Sequence, residues 1–567
     1  MPTPLRVIII GGVAGGMSAA TRLRRLNESA SITVFERGHY VSYANCGIPY
    51  ALGDVIANRE DLLLQTPQSF KERFNIDVRV DDEVVGIDRQ QKVVLVKPDG
   101  SQQVKEYPYD KVILSQGAAP LVPAIPGAKE EEHVFHLTTV DDLDKAKGWM
   151  NTHSVTHAVV VGGGFIGVEA AENLRLLGLE VTVVERMDHV LPPYDADIVE
   201  VVHAEMRRNG VRLVTGATVV GIEKECVVLD TGDKVPSQLV LLVMGVRART
   251  DLARQAGLEL GERGIKVNDQ MQTSDPDIYA VGDMAETVNR VTGQMGVVAL
   301  AGPANREGRL AADHICGRDV RYPGNIGTSV CKCFDVTVGI AGMSVDGLRR
   351  AGMDPLWVSA HPPNHAGYYP GAKQLTLKVA FDKKDGRLLG AQAVGAAGVD
   401  KRIDVLSTAI QARMTIFDLE NLELAYAPPY GSAKDAVNMV GFIGSNLMRG
   451  DTRIAHPEDL SPKRLEGFQV LDVRTPREFA RGYLKSAVNI PINSLREKMG
   501  ELDKSRPTLA YCQVGYRGYL AQRLLEQNGF DVVNLNGGYK SVEEAGLKSL
   551  QVVPPQPNGV GHGFLKP

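Results

Sequence analysis

Two cysteines stand where a protein could put them to chemical use. Cys46 lies in Val41-Ser42-Tyr43-Ala44-Asn45-Cys46-Gly47-Ile48-Pro49-Tyr50, with no second cysteine near enough for a local disulfide. A thiol beside a bound redox group, lacking a local partner, must find its second sulfur or oxygen in a substrate. A lone cysteine is more commonly a small buried hydrophobe, so this stretch takes its meaning from its surroundings. Cys512 stands where the apolar run Thr508-Leu509-Ala510-Tyr511 meets Gln513-Val514-Gly515-Tyr516-Arg517-Gly518. A strand ending in cysteine, followed by a loop that closes on Arg517 at a helix start, aims backbone N–H groups at the sulfur and stabilises it as an anion. Cys226, Cys316, Cys331 and Cys333 read as structural: they are too scattered for a disulfide scaffold. Cys331-Lys332-Cys333 lacks the Cys-x-x-Cys metal spacing and alternates as a strand does, so no metal site is expected.

The elements that would position Cys46 are legible. Leu5 to Ile10 is an apolar run ending in Gly11-Gly12-Val13-Ala14-Gly15-Gly16, and a helical pattern follows from Met17 to Leu26. Strand, glycine turn and helix together form a dinucleotide site: the backbone approaches a pyrophosphate and the helix start favours its charge. Val13 replaces the middle glycine. The next strand ends at Glu36, a carboxylate suited to ribose hydroxyls. A second copy is complete. Ala158 to Val161 leads into Gly162-Gly163-Gly164-Phe165-Ile166-Gly167, a helix through Leu177, and a strand ending at Glu185. Two such sites imply two cofactors. Glu185 repels a 2′-phosphate and favours NADH, while Arg186 beside it keeps NADPH open.

The chain has 567 residues, which points to roughly three or four domains. A net charge of −5 without long charge runs gives no electrostatic reason for a nucleic-acid or membrane partner. No apolar stretch reaches the roughly 18 residues of a membrane span. The cytoplasm is the expected place, since free thiols persist there.

Thr273-Ser274-Asp275-Pro276-Asp277-Ile278-Tyr279-Ala280-Val281-Gly282-Asp283, together with the two glycine turns, resembles the two-dinucleotide flavoprotein disulfide reductases. The resemblance implies an α/β fold with two Rossmann-like domains, one for FAD and one for NAD(P)H, then an α+β dimerisation domain. It implies FAD on the first glycine turn, the nicotinamide on the second, and Asp283 on the FAD ribityl chain. Arg37, Ser115, Gly117, Gly245 and Gly282 join the cofactor contacts. The expected domains are 1–150 and 271–325 for FAD, 151–270 for NAD(P)H, and 326–447 for dimerisation. A linker is expected over 448–464. Residues 465–548 resemble a single α/β rhodanese domain with Cys512 as its persulfide carrier, although Gly482-Tyr483-Leu484 stands where Gly-His-Ile is common. A flexible tail is expected over 549–567.

Within the family, Ser42-x-x-x-Cys46 is the single-cysteine pattern. NADH oxidases and peroxidases share it, cycling through a sulfenic acid with a histidine after the first glycines. Val13 and Ala14 occupy that region here. The Gly-Gly-Val-Ala-Gly-Gly opening, Asn45-Cys46-Gly47 and Tyr426-Ala427-Pro428-Pro429-Tyr430 are similar to the coenzyme A-disulfide reductase branch. That likeness implies hydride transfer from NADH through FAD to the Cys46 sulfur, reducing coenzyme A disulfide, coenzyme A persulfide or polysulfide. Cys512 would hand sulfane sulfur to coenzyme A or to Cys46 directly. The likeness puts Ser18, Arg22, Arg25, Ser42, Asn45, Asn305 and Lys434 at coenzyme A, with Lys71 or Arg73 in place of a lysine expected where Phe74 stands. It implies a homodimer in which Tyr426, with Tyr368 or Tyr369 as a second candidate, reaches the partner's flavin and cysteine. Two other readings stay open: an oxidase or peroxidase using a Cys46 sulfenate, and a sulfur carrier in which Cys512 docks partner proteins.

Overall fold

The computed structural model describes residues 4–552 apart from Gln102 and Pro123. The chain forms two compact units, one from residues up to 190 and 210–327, the other from 191–209 and residues from 328 on. Among the described residues no helix is long and apolar enough to cross a membrane.

The first unit holds two five-stranded parallel sheets. One runs in the order Ile278–Ala280, Lys111–Leu114, Arg6–Ile10, Ser31–Phe35, Asp77–Arg79. Its central strand is β-branched and buried from Val7 to Ile10, as a parallel strand covered on both faces must be. Ile278–Ala280 pairs with Lys111–Leu114, so chain from beyond residue 270 completes a sheet begun at residue 6. The other sheet runs Val211–Thr215, Glu180–Glu185, His157–Val161, Leu239–Leu242, Val134–Phe135.

The first helix starts at Ala14 rather than Met17 and takes Gly15 and Gly16 into its opening turn. Glycine is a poor helix residue, and close packing explains its presence. A Cβ on Gly308 of the helix Ala301–Ile315 would lie 2.1 Å from the Gly15 carbonyl oxygen.

The second unit carries a five-stranded antiparallel sheet, in the order Ser329–Cys333, Val336–Gly342, Leu388–Gly395, Leu375–Asp382, Pro355–Ala360. Cys331 and Cys333 are buried on its edge strand, as their alternation predicts. The helix Ala196–Arg208 joins this unit through the buried Lys378, which reaches Asp195 and Asp197, each at 3.0 Å. Burial opposes the ammonium charge, but the two carboxylates outweigh it and hold Lys378 charged. Removing one partner of such a set costs about 3–5 kcal/mol.

A five-stranded parallel sheet completes the unit: Ile454–Ala455, Val532–Leu535, Thr508–Tyr511, Gln469–Asp472, Val488–Asn489. Its first strand corrects the expected linker over 448–464. Ile454–Ala455 is an edge strand of this sheet, and Thr452 is buried with its hydroxyl on Gln522 Oε1 at 2.6 Å. An apolar pair flanked by polar residues reads as loop, yet it is long enough to extend the edge that Val532–Leu535 offers. The tail expected from 549 is likewise structured at its start, where Gln551–Val552 pairs with Tyr483–Leu484; residues 553–567 lie outside the described residues. The helix Gly538–Glu544 meets the antiparallel sheet through His361 Nε2, 2.8 Å from Ser541 Oγ. Burial pushes His361 down to about 3, so it serves as a neutral hydrogen-bonding pin.

Candidate active sites

The two glycine turns have the same geometry. Gly11 and Gly162 have φ of +105° and +109°, and a Cβ on either would strike the backbone just past a neighbouring strand, the carbonyl oxygen of Ser115 at 2.2 Å or of Val243 at 2.6 Å. Five residues on, a Cβ on Gly16 or Gly167 would lie 2.0 Å from the carbonyl oxygen of Gly11 or Gly162. Only glycine fits there. Val13 is tolerated because it caps the helix from outside that contact. Glu36 and Glu185 accept the N–H of Gly12 and Gly163 at 2.9 and 2.6 Å, so each acid braces its own turn. Phe165 and Ile166 open the second helix, and a Cβ on Gly164 just before it would meet open space, as room for a phosphate requires.

The first site fits a flavin nucleotide in two further respects. Asp283 is raised by burial alone, an acid whose desolvation nothing offsets. Gln116 Oε1 is a buried oxygen without a partner among the described residues, between Ser115 and the positive-φ Gly117. Gly282 precedes Asp283 with φ +76° and its N–H donates to Glu307 at 2.7 Å. Gly245 (φ +104°) follows the strand beside the second turn, and Arg37 and Arg186 are exposed just beyond Glu36 and Glu185.

Cys46 is free and exposed on the 3-10 turn Asn45–Gly47. Ser42 before it adopts φ 49°, left-handed for a non-glycine residue. Its N–H donates to the Gly12 carbonyl at 2.8 Å and its own carbonyl accepts from Leu64 at 3.0 Å. Such strain costs about 1–3 kcal/mol and persists where the surroundings over-determine it. Here the bonds tie the cysteine segment to the first glycine turn.

One side of Cys46 faces solvent, while the protein behind it pushes the thiol up, with Glu169 and then Asp283 adding to the effect. Burial pushes Glu169 itself up to about 7, against the Tyr50 hydroxyl, which donates to it at 3.1 Å. Glu169 was not singled out from the sequence. Its signal was its place in the first helical turn after the second fingerprint.

The residues expected at coenzyme A fall into groups. Ser18 hydrogen-bonds Asn305, so the structure brings those two together. Arg22 is half-buried and committed to Asp313 at 2.7 Å, whereas Arg25 is exposed. Of these two arginines, Arg25 is the one with no carboxylate partner among the described residues. Asn45 is exposed, with Nδ2 3.4 Å from the Thr138 carbonyl. Lys71 and Arg73 are exposed on the helix Pro67–Phe74, while Phe74 packs against the core. Apolar contact thus explains why position 74 is not lysine.

In the second unit, the Tyr368 and Tyr426 hydroxyls lie 2.9 Å apart on side chains that are 77% and 47% exposed. The bond to Tyr426 holds the Tyr368 phenol above its ordinary range. Tyr369 packs edge-on to His365 instead. Lys434 is exposed beside Asp435, the capping residue that pairs with the buried Arg402 at 2.6 Å.

Cys512 is fully buried where the strand Thr508–Tyr511 turns into the helix Tyr516–Glu526. Its carbonyl and that of Gln513 accept the N–H groups of Tyr539 and Lys540 at 2.8 and 3.0 Å, which stacks the loop on the next helix start. Arg517 donates to both oxygens of Glu478, at 2.9 and 2.6 Å. Those bonds raise the guanidinium, and the Cys512 sulfur adds to the effect. Glu478, also missed from the sequence, was signalled by Thr475-Pro476-Arg477-Glu478, a capping box that the structure forms. Gly482, in place of the glycine of Gly-His-Ile, has φ +153°, and its carbonyl accepts from Arg474 at 2.6 Å.

Comparison with known proteins shows the family and its domains. Residues 5–308 match the pyridine nucleotide-disulphide oxidoreductase family, 328–437 its dimerisation domain, and 458–545 the rhodanese-like domain. The chain is 35% identical to a coenzyme A disulfide reductase of Staphylococcus haemolyticus over 444 residues, covering 78% of this chain and all of the other. The crystal structure of reduced Bacillus anthracis CoADR-RHD superposes with a TM-score of 0.95 at 43% identity, covering 97% of this chain and 99% of that one. An NAD-dependent persulfide reductase from A. fulgidus gives 0.89 at 37%, covering 95% and 100%. The chain therefore belongs to the pyridine nucleotide-disulphide oxidoreductase family, with a rhodanese-like domain after its dimerisation domain.

Proposed function

We propose that the protein is an FAD-dependent NAD(P)H oxidoreductase that reduces coenzyme A disulfide, and coenzyme A persulfide or polysulfide, through Cys46, with sulfane sulfur supplied by Cys512. One observation carries this reading: Cys46 is exposed, free and without a cysteine partner, in the unit that holds both glycine turns and the buried Asp283. FAD would lie on Gly11 to Gly16, Glu36 and Asp283, and the nicotinamide nucleotide on Gly162 to Gly167 and Glu185. When bound, they supply the two electrons that return Cys46 from disulfide to thiolate.

The protein's own part begins with the Cys46 thiolate, which attacks one sulfur of coenzyme A disulfide. A Cys46–coenzyme A disulfide forms and the other half leaves as thiolate. With coenzyme A persulfide, attack on the inner sulfur gives the same mixed disulfide and releases hydrosulfide. Arg25, Ser18, Asn305, Ser42 and Asn45 would hold coenzyme A, with Lys71 or Arg73 and Lys434 at its charged end. In a homodimer the partner's Tyr426 and Tyr368 would give the leaving sulfur its proton. Six free cysteines suit a reducing compartment, which supports the cytoplasm. Val13 and Ala14 stand where an oxidase or peroxidase would carry its histidine, which favours the sulfur acceptors.

The test is NADH oxidation with and without oxygen. Anaerobic turnover should require coenzyme A disulfide or a persulfide. NADH turnover in air, faster than any sulfur-dependent rate, would establish the oxidase instead.

A further inference from the structure

Arg517, Arg474 and Lys540, the cations that the structure ties to the Cys512 loop among the described residues, are each matched by a carboxylate. Arg517 gives two nitrogens to the two oxygens of Glu478. Arg474, beneath the loop, is 2.7 Å from Asp472 and spends another nitrogen on Gln513 Oε1 at 2.9 Å. Lys540 lies 2.9 Å from Glu544. Glu543 adds a further carboxylate, 3.4 Å from the Gln513 side-chain amide. Gln513, Val514, Gly515 and Tyr516, which separate Cys512 from Arg517, carry no charge.

Cys512 is completely covered, while Tyr516 and Leu520, one helical turn apart beside the loop, are 60% and 40% exposed. Among these described residues a doubly charged donor finds no unmatched cation, whereas an –S–SH end asks for one anionic sulfur to be held. The loop and helix-start N–H groups suffice for a single anionic sulfur.

We propose that Cys512 takes its sulfur from organic persulfides, R–S–SH, and discriminates against doubly charged inorganic sulfane donors such as thiosulfate, with Glu478 setting this preference by occupying Arg517. This rests on the reading of Cys512 as a sulfur acceptor. The Cys512 thiolate attacks the terminal sulfur, the Sγ–S bond forms, the R–S–S bond breaks, and R–S⁻ leaves. The proton stays on the transferred sulfur, and no outside oxidant or reductant is needed.

The test uses the holoenzyme under anaerobic conditions, with glutathione persulfide or thiosulfate as donor. Sulfur gained at Cys512 is followed by peptide mass. Glutathione persulfide should load Cys512 at least about tenfold faster than thiosulfate. Glu478→Gln, which frees Arg517, should narrow that ratio by speeding thiosulfate. Val514→Lys, which adds a cation without touching the ion pair, should narrow it too, with an unchanged urea midpoint as the check on folding. Equal loading of the unaltered protein by both donors overturns the proposal, as does an unchanged ratio in both variants. Loading by neither donor overturns the reading of Cys512 itself.

Discussion

Cys46 and Cys512 are both free thiols, yet their settings are opposite. Cys46 is exposed, with carboxylates behind it that disfavour its anion. Cys512 is buried, with a guanidinium beside it that is itself held by a carboxylate. An open thiol with a raised pKa suits a site completed by a large substrate and a bound cofactor. A covered sulfur on a hydrogen-bonded loop suits a small cargo, one sulfur atom at a time.

The sharpest way to break this comparison is to remove each sulfur. Cys46→Ser should lower NADH-dependent reduction of coenzyme A disulfide by at least about 10³-fold, because no second thiol stands in for the nucleophile. Cys512→Ser should leave that rate within about twofold; loss of activity in both variants would mean that the cysteines share one step.

A smaller effect concerns what holds Arg517. Arg517 lowers Glu478 from its ordinary 4.5 to about 2. Its folded value lies below its unfolded one, so its stabilisation is complete above about pH 4.5 and fades as the pH falls toward 2. Glu478→Gln should cost about 2 kcal/mol at neutral pH and flatten this acid slope, as read from urea midpoints across pH.

Glu169 offers a comparable test at Cys46. With its carboxyl near 7, the charge next to the thiol is present above that pH and absent below it. Glu169→Gln should lower the midpoint of Cys46 alkylation against pH by up to about one unit, worth about 1.4 kcal/mol. An unmoved midpoint would leave burial and Asp283 as the causes.

The smallest effect separates the two arginines of the first helix. Arg25→Ala should raise the KM for coenzyme A disulfide about threefold or more, and Arg22→Ala by less, since Asp313 already takes that guanidinium. Equal effects would show that the ion pair opens for the substrate.

Much of this was legible in the sequence because it rests on local rules. The glycine turns, the acids that follow them and the Cys512 strand–loop–helix need only neighbours in the chain. What was hidden depends on distant residues. Ile454–Ala455 becomes a strand only because Val532–Leu535 offers an open edge. Arg22 and Arg25 look alike in sequence, and a carboxylate at position 313 separates them. Glu169 reads as an ordinary helical acid until the fold sets it behind Cys46.

The central claim, that electrons leave at Cys46 while Cys512 only carries sulfur, is tested most directly by sulfide release. The measurement follows anaerobic, NADH-dependent sulfide production from polysulfide with coenzyme A, in the unaltered protein and in Cys46→Ser and Cys512→Ser. The account predicts that release is lost without Cys46 and slowed but present without Cys512. Sulfide production that persists in Cys46→Ser would contradict it.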